Sequence, residues 1–142
     1  ERLASALPEE TDTDAEAALA AIIVLDQFSR NIFRGTAKAF AFDPLALGLS
    51  RNAIEKNFDD GLGAQHRQFL YMPLMHSENM ADQEESVRQY RSLGDENAFK
   101  FAEEHRDIIA RFGRFPHRNK VLSRTSTEAE IAFLAEANSY GQ

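Results

Sequence analysis

The chain has 142 residues, a formal net charge of −7 and no cysteine. Its composition, 43% apolar and 27% charged, is that of an ordinary globular domain, and a chain of this length can bury a real core. The lack of cysteine excludes disulfide scaffolds, thiolate zinc sites and cysteine nucleophiles. The negative charge disfavours a nonspecific nucleic-acid binder and a polybasic membrane binder, so neither nucleic acid nor a membrane is expected as a partner. We therefore expect residues 1–142 to form one domain.

The composition favours helices over strands. Alanine occurs 21 times and valine only three times, and alanine favours helix whereas valine favours strand. The longest apolar run, Ala17–Leu25, has nine residues, which is too short to span a bilayer. The sequence has no signal peptide, so we expect a cytoplasmic protein. The first residue is Glu1 rather than Met, and we expect the natural N-terminus to be missing.

The first half of the chain predicts a loose acidic lead-in followed by two helices. Residues 1–12 carry Pro8 and the acidic pair Glu9-Glu10 and predict no regular structure. A first helix is predicted over about 14–31, with Thr13 or Asp14 as its cap and a stop at Gly35. A short helical turn follows over 36–42. Asp43-Pro44 has the pattern of a cap and first residue, and it predicts a second helix over about 43–57.

The second half predicts four more helices. We predict a third over about 63–72, which Pro73 should end or kink, and a fourth over about 82–93. The fifth, 96–112, lies between a capping Asp95 and Gly113. A capping box of Thr127 and Glu130 predicts the last, to about 137. The expected fold is therefore all-α, with six helices in antiparallel hairpins and no sheet.

One polar cluster ends the first helix. Asp26, Arg30 and Arg34 recur every four residues and share one helical face. They follow the nine-residue apolar run, so we expect them to be partly buried and to need partners. Asp26 and Arg30 form the obvious pair. Arg34 has no local acid and is the better candidate to contact a ligand, with Asn31 supplying a hydrogen bond.

A second cluster is basic. Between His105 and Arg124 the chain has five arginines and one lysine against one aspartate. Guanidinium groups bind carboxylate or phosphate bidentately, so Arg111, Arg114 and Arg118, with Asn119, are candidates for an anion clamp. Alternatively, the same arginines tie this loop to the protein's own acidic helices.

A third cluster follows Pro73. His76 and Glu78 are candidates for acid–base catalysis, as is His117, with Asp26 or Glu78 orienting the imidazole. One histidine and one glutamate two residues apart lack a third ligand, so no metal is expected. The sequence has no phosphate-binding glycine loop, dinucleotide fingerprint or serine nucleophile elbow, and no cofactor is expected. His105, on the apolar stripe of the fifth helix, is predicted to be a core residue.

Several long strings from these clusters resemble a known family. They are LDQFSRNIFRG at 25–35, FLYMPLMHSE at 69–78, HRDII at 105–109 and RFGRFPHRN at 111–119. Through them the chain resembles domain-of-unknown-function family 924, uncharacterised proteins found mostly in bacteria. The resemblance implies a tetratricopeptide-like fold of helical hairpins and brings no established activity.

The chain also departs from the family pattern. Family members usually carry an aromatic-rich segment before the first string, which this chain lacks or replaces with its acidic lead-in. They tend to have Leu-Gly-Arg where this chain reads Leu122-Ser123-Arg124, so Arg124 is given no role. The resemblance implies that the polar residues of the strings form a site rather than mere packing.

These observations leave three hypotheses for function. The favoured one is a pocket that binds an anionic small molecule or an acidic peptide through arginines. The second is a hydrolase or isomerase that acts on an anionic substrate through histidine. The third is a scaffold in which arginines and acids form an internal network. The sequence makes no prediction of oligomeric state.

Overall fold

The computed structural model describes residues 7–137, and this part of the chain is all-α with no strand. The first helix, α1, is continuous but not uniform. It is an α-helix over Ala15–Ile22, a π-helix over Ile23–Phe28 and again an α-helix over Ser29–Ile32. This agrees with the predicted helix over 14–31, although the sequence did not predict its π segment.

Five further helices follow in the described part of the chain. They are α2 (Asp43–Glu55), α3 (Ala64–Met75), α4 (Met80–Leu93), α5 (Glu96–Phe112) and α6 (Glu128–Glu136). Single turns of 3-10 helix lie at Glu9–Asp12, Ala37–Phe40, Phe58–Gly61 and Pro116–Arg118. Within residues 7–137, no helix combines the length and the apolar character needed to cross a membrane.

Side chains cap the starts of four of the six described helices, and the sequence predicted three of these caps. Asp14 accepts hydrogen bonds from the first-turn amides of α1, and Asp95 accepts one from Ala98 at the start of α5. The capping box of Thr127 and Glu130 is present at α6. Gly113 ends α5 at φ 71°, a conformation that side chains disfavour.

Three local predictions were wrong. Asp43 does not cap α2, because Phe42 holds the cap position and the Asp43 carboxylate binds Arg30 instead. α3 continues past Pro73 to Met75, so the predicted end at 72 was wrong; the proline is buried inside the helix. The lead-in is not wholly loose, since residues 9–12 form a turn that buries Thr11, whereas residues 1–6 lie outside the described part.

The core lies between the first five helices. Short connections of four residues between α3 and α4, and of two between α4 and α5, make these three helices successive antiparallel neighbours. α1 packs on α2 and α3. The buried side chains of the core repeat at helical spacing and are Leu19, Ile22, Leu25, Ala46, Leu49, Ala53, Leu70, Tyr71, Met75, Val87, Tyr90 and Ala102.

A smaller apolar cluster fixes the segment after α5. Phe115 is fully buried against Ile108 and Ile109, and Phe112 packs against Phe133 of α6. Because Phe115 is anchored, the basic residues that follow it are held against the ends of α1 and α3. This smaller apolar cluster therefore holds the basic loop beside the polar residues at the ends of α1 and α3.

Candidate functional site

The π segment of α1 places Asp26 inside the protein, with only 1% of the residue exposed. Its carboxylate accepts hydrogen bonds from Gln27 Nε2, from Arg30 at 3.1 Å and from His76 Nδ1 at 2.7 Å. Burial by itself raises the pKa of Asp26. The charge and hydrogen bond of His76, and then the charge of Arg30, outweigh burial and lower that pKa to about 2. Asp26 is therefore ionised at neutral pH.

His76 lies at the C-terminus of α3, where the backbone turns towards α4. Buried Gln83 of α4 holds this turn by donating to the carbonyls of Met75 (2.8 Å) and Ser77 (2.6 Å). Since ionised Asp26 can only accept, Nδ1 of His76 carries the proton in their hydrogen bond. In the neutral imidazole, the lone pair is then on Nε2. In this tautomer Nε2 can accept a proton.

A chain of charges continues from Asp26. Arg30 binds both oxygens of Asp43, at 2.7 and 2.9 Å, and Arg118 lies 3.9 Å from the same carboxylate. The guanidinium of Arg118 stacks on the rings of Phe40 and Phe115, with its carbon 4.5 and 4.7 Å from the ring centroids. It also donates to the backbone carbonyl of His76 at 2.9 Å. Burial lowers the pKa of Arg118 to about 10, so it stays charged.

Glu78 connects the basic loop to the α3–α4 turn. It accepts two hydrogen bonds from Arg124, at 2.8 and 3.1 Å, and a third from the backbone amide of Phe115 at 2.6 Å. Burial opposes the charge, but the hydrogen bonds of Arg124 and Phe115 lower the pKa of Glu78. Arg124, which the sequence left without a role, therefore joins the loop to the turn that carries His76.

The rest of the basic loop is joined to α6. Arg114 binds both oxygens of buried Glu130, at 2.8 and 2.9 Å. Asn119 is 1% exposed; it donates to Glu130 and to Ser126, and it accepts from Arg124. For these residues the structure agrees with the predicted alternative of an internal network.

Two further histidines are neutral at pH 7. Burial first, and then nearby positive charges, lower the pKa of His105 to about 4 and that of His117 to about 3. His105 donates from Nδ1 to the carbonyl of Phe101 at 2.7 Å and packs edge-on against Phe115. The prediction that His105 is a buried core residue is confirmed.

Three cavities adjoin this network. A groove of about 540 Å³ runs along α3, α4 and α5, and His76 and His105 border it with Gln68, Met72, Met75, Tyr90, Asp95, Asn97, Ala98 and Phe101. A smaller cavity of about 180 Å³ lies between the end of α1 and the basic loop. Its lining, from the described part of the chain, contains no acid and consists of Arg30, Arg34, Gly35, Ala39, Phe40, His117, Lys120 and Val121. We call the cavity of about 540 Å³ the groove and the cavity of about 180 Å³ the cationic cavity. His76 also borders a third cavity of about 340 Å³, with Asp43, Glu78 and Arg118.

The structure brings together only part of the predicted site. Asp26, Arg30, His76 and Arg118 form one network, which Glu78 adjoins, and Arg34 and His117 meet Arg30 at the cationic cavity. Asn31 is exposed and accepts from Arg34 at 3.3 Å.

The other predicted residues lie elsewhere. Arg111 is exposed and stacks on Phe112, while Arg114 and Asn119 bind Glu130. Sequence reasoning missed Lys120, Gln83 and Arg124. Lys120 and Arg124 are within the predicted basic loop, whereas no local signal marks Gln83. Among residues 7–137, no group of three or more histidine and carboxylate side chains is arranged to hold a metal ion.

Comparison with known proteins places the chain in a family. The chain matches the family described as "Bacterial protein of unknown function (DUF924)" over residues 1–138. It is also similar to the solved structure of a protein of unknown function, ATU0120, from Agrobacterium tumefaciens. That likeness has a TM-score of 0.86 at 43% sequence identity and covers 91% of this chain and 73% of the other. A search of curated proteins gave no match. The chain therefore belongs to the DUF924 family.

Proposed function

We propose that the protein binds a small anionic molecule, through a phosphate or carboxylate group, in the cationic cavity. The observation that carries this proposal is the composition of the lining: two arginines and a lysine, Arg30, Arg34 and Lys120, and no acid among the described lining residues. A cavity of one charge sign concentrates ions of the opposite sign.

Arg34 and Lys120 supply the charge for the anion. Both are exposed, and neither forms an ion pair with any residue of the described range 7–137. The guanidinium of Arg34 can bind a carboxylate or phosphate bidentately, while Lys120 acts as a point charge. Arg30 already binds Asp26 and Asp43, so its charge is matched inside the protein.

The size of the cavity favours a small molecule over an acidic peptide. Its volume of about 180 Å³ is the share of roughly six liquid waters. A phosphate or a small carboxylate fits this space, whereas a peptide would have to lie mostly outside it. His117 lines the cavity and stays neutral at pH 7, since burial lowers its pKa to about 3. It therefore contributes hydrogen bonding rather than charge.

Isothermal titration calorimetry with inorganic phosphate, acetate and succinate tests the proposal. We expect at least one of these anions to bind, and we expect its affinity to fall as salt is raised. Arg34→Ala and Lys120→Ala each remove a charge-assisted hydrogen bond of about 1.5–3 kcal/mol. Each should therefore weaken binding about tenfold to hundredfold.

The matched controls are Arg111→Ala and Lys100→Ala, which remove an exposed cation of the same type outside the cavity. Both should bind like the wild type. Binding that survives Arg34→Ala and Lys120→Ala, or that Arg111→Ala abolishes, contradicts the cationic cavity as the site. Failure of all three anions to bind contradicts the proposed function itself.

A further inference from the structure

We propose that His76 and Asp26 form a general-base pair that hydrolyses carboxylic esters bound in the groove. This activity is separate from anion binding in the cationic cavity, because the two cavities have no lining residue in common. Its evidence is the geometry of the pair, the local form of α1 and the chemistry of the groove.

The pair has the arrangement that water activation requires. Asp26, ionised and 1% exposed, fixes Nδ1 of His76 at 2.7 Å and so orients the ring. Nε2 is then the basic nitrogen, and His76 borders the groove. A histidine held by a buried carboxylate in this way is the acid–base half of a hydrolytic site.

The backbone around Asp26 is a second, independent observation. Ile23–Phe28 forms a π-helix inside α1, a rare conformation that occurs frequently at functional sites. The π segment is where Asp26 enters the core and meets a histidine 50 residues away in sequence. A helix needed only for packing does not require this irregular turn.

The groove determines the class of substrate. Met72, Met75, Ala98 and Phe101 give it apolar walls, and Gln68 and Asn97 add amide groups. Its volume of about 540 Å³ is in the usual range for small-molecule sites. Such a groove fits an ester whose apolar acyl chain lies along these walls and whose carbonyl group lies beside His76.

The chemistry follows from the groups that are present. Among the described residues that line the groove there is no serine, threonine, cysteine or lysine. The Tyr90 hydroxyl donates to the carbonyl of Gln68, and the carboxylate of Asp95 accepts from Gln68 and from the amide of Ala98 at the start of α5. Water is therefore the nucleophile. His76 Nε2 takes one proton from the water as its oxygen bonds to the acyl carbon. The bond from that carbon to the alkoxy oxygen then breaks, and the proton on Nε2 passes to the leaving alkoxide. An ester and water give an acid and an alcohol.

The test is hydrolysis of p-nitrophenyl esters with acyl chains from acetate to octanoate. We expect saturable turnover with a KM that falls as the chain grows. His76→Gln and Asp26→Asn should each lower kcat about a hundredfold or more. His66→Ala, which removes an exposed histidine of α3, should leave kcat unchanged, whereas loss of turnover in His76→Gln purified in the same way excludes a contaminating esterase.

A third variant locates the substrate. Ala98→Phe adds a ring to the wall of the groove, so it should raise KM for octanoate much more than for acetate. Because Ala98 is outside the Asp26–His76 network, this result does not depend on whether Asp26→Asn folds. Three results overturn the proposal: hydrolysis no faster than in buffer, turnover that survives His76→Gln, or an unchanged KM in Ala98→Phe. None of them bears on anion binding, which is measured separately.

Discussion

Mild acid should destabilise the fold through His105. His105 is buried, and burial, together with the charges of His76, Arg118 and Arg30, lowers its pKa to about 4; the hydrogen bond to Phe101 only partly opposes this shift. In the unfolded chain the same group has its ordinary value of 6.5. Between these two values the unfolded state binds more protons than the folded state. Stability therefore falls as the pH is lowered through this window.

The magnitude follows from the shift. The contribution of His105 to the free energy of unfolding is complete above about pH 6.5 and is lost at about 1.4 kcal/mol for each pH unit below it. By pH 4 the loss is about 3 kcal/mol, a large part of a typical stability of about 5–15 kcal/mol. His117, whose pKa is lowered to about 3, acts in the same direction. Asp26 acts in a lower window, because its pKa falls from 3.8 to about 2 and its contribution is lost only below about pH 4.

Urea denaturation followed by circular dichroism at pH 7, 6, 5 and 4 measures this loss. His105→Phe keeps a buried ring against Phe115 but cannot titrate. It should be less stable than the wild type at pH 7, since it lacks the bond to Phe101, and should lose about 3 kcal/mol less on going to pH 4. His66→Ala is the control, because His66 is exposed. Parallel losses in the wild type and in His105→Phe would refute the reasoning, since they would mean that His105 does not hold its neutral form in the folded protein.

Two further predictions concern the charge network. Asp26→Ala leaves Arg30 and His76 without their buried partner and should cost about 3–5 kcal/mol in urea denaturation; a loss below 1 kcal/mol would show that water replaces the carboxylate. Glu78→Gln removes the charge that Arg124 binds and should cost about 1–2 kcal/mol. Limited proteolysis should then cut the chain near Arg124 faster than in the wild type, and equal cleavage rates would contradict a role for Glu78 in holding the loop.

Helix ends could be predicted from the sequence where local chemistry determines them. The bounds of α5 agree with the prediction because Asp95 and Gly113 carry all the necessary information. Asn79 caps α4 in the same way, but the start of α4 was predicted two residues late. The error at Pro73 has a tertiary cause, since burial of the proline ring offsets the hydrogen bond that it cannot donate.

The site was predictable as a set of residues but not as an arrangement. The sequence identifies the arginines of the basic loop, yet the partners of Arg114 and Arg124 lie 16 and 46 residues away along the chain. Only the fold decides which cations are neutralised internally and which remain for a ligand. The pairing of Asp26 with Arg30 was predictable because the two residues lie four positions apart on one helix and so share a face.

Ser123 gives a direct test of how the basic loop is built. It adopts φ 57°, in the left-handed region, immediately before Arg124 turns back to bind Glu78. A non-glycine residue in this conformation costs about 1–2 kcal/mol, whereas the extra freedom of glycine in the unfolded chain costs about 0.5–1 kcal/mol.

Ser123→Gly should therefore stabilise the protein by about 0.5–1 kcal/mol. For 142 residues this raises Tm by roughly 2–3 °C. Ser92→Gly makes the same exchange inside α4, at a right-handed position, and should lower Tm instead. If both variants lower Tm alike, the turn at Ser123 carries no strain, and the backbone before Arg124 is not what positions its guanidinium on Glu78.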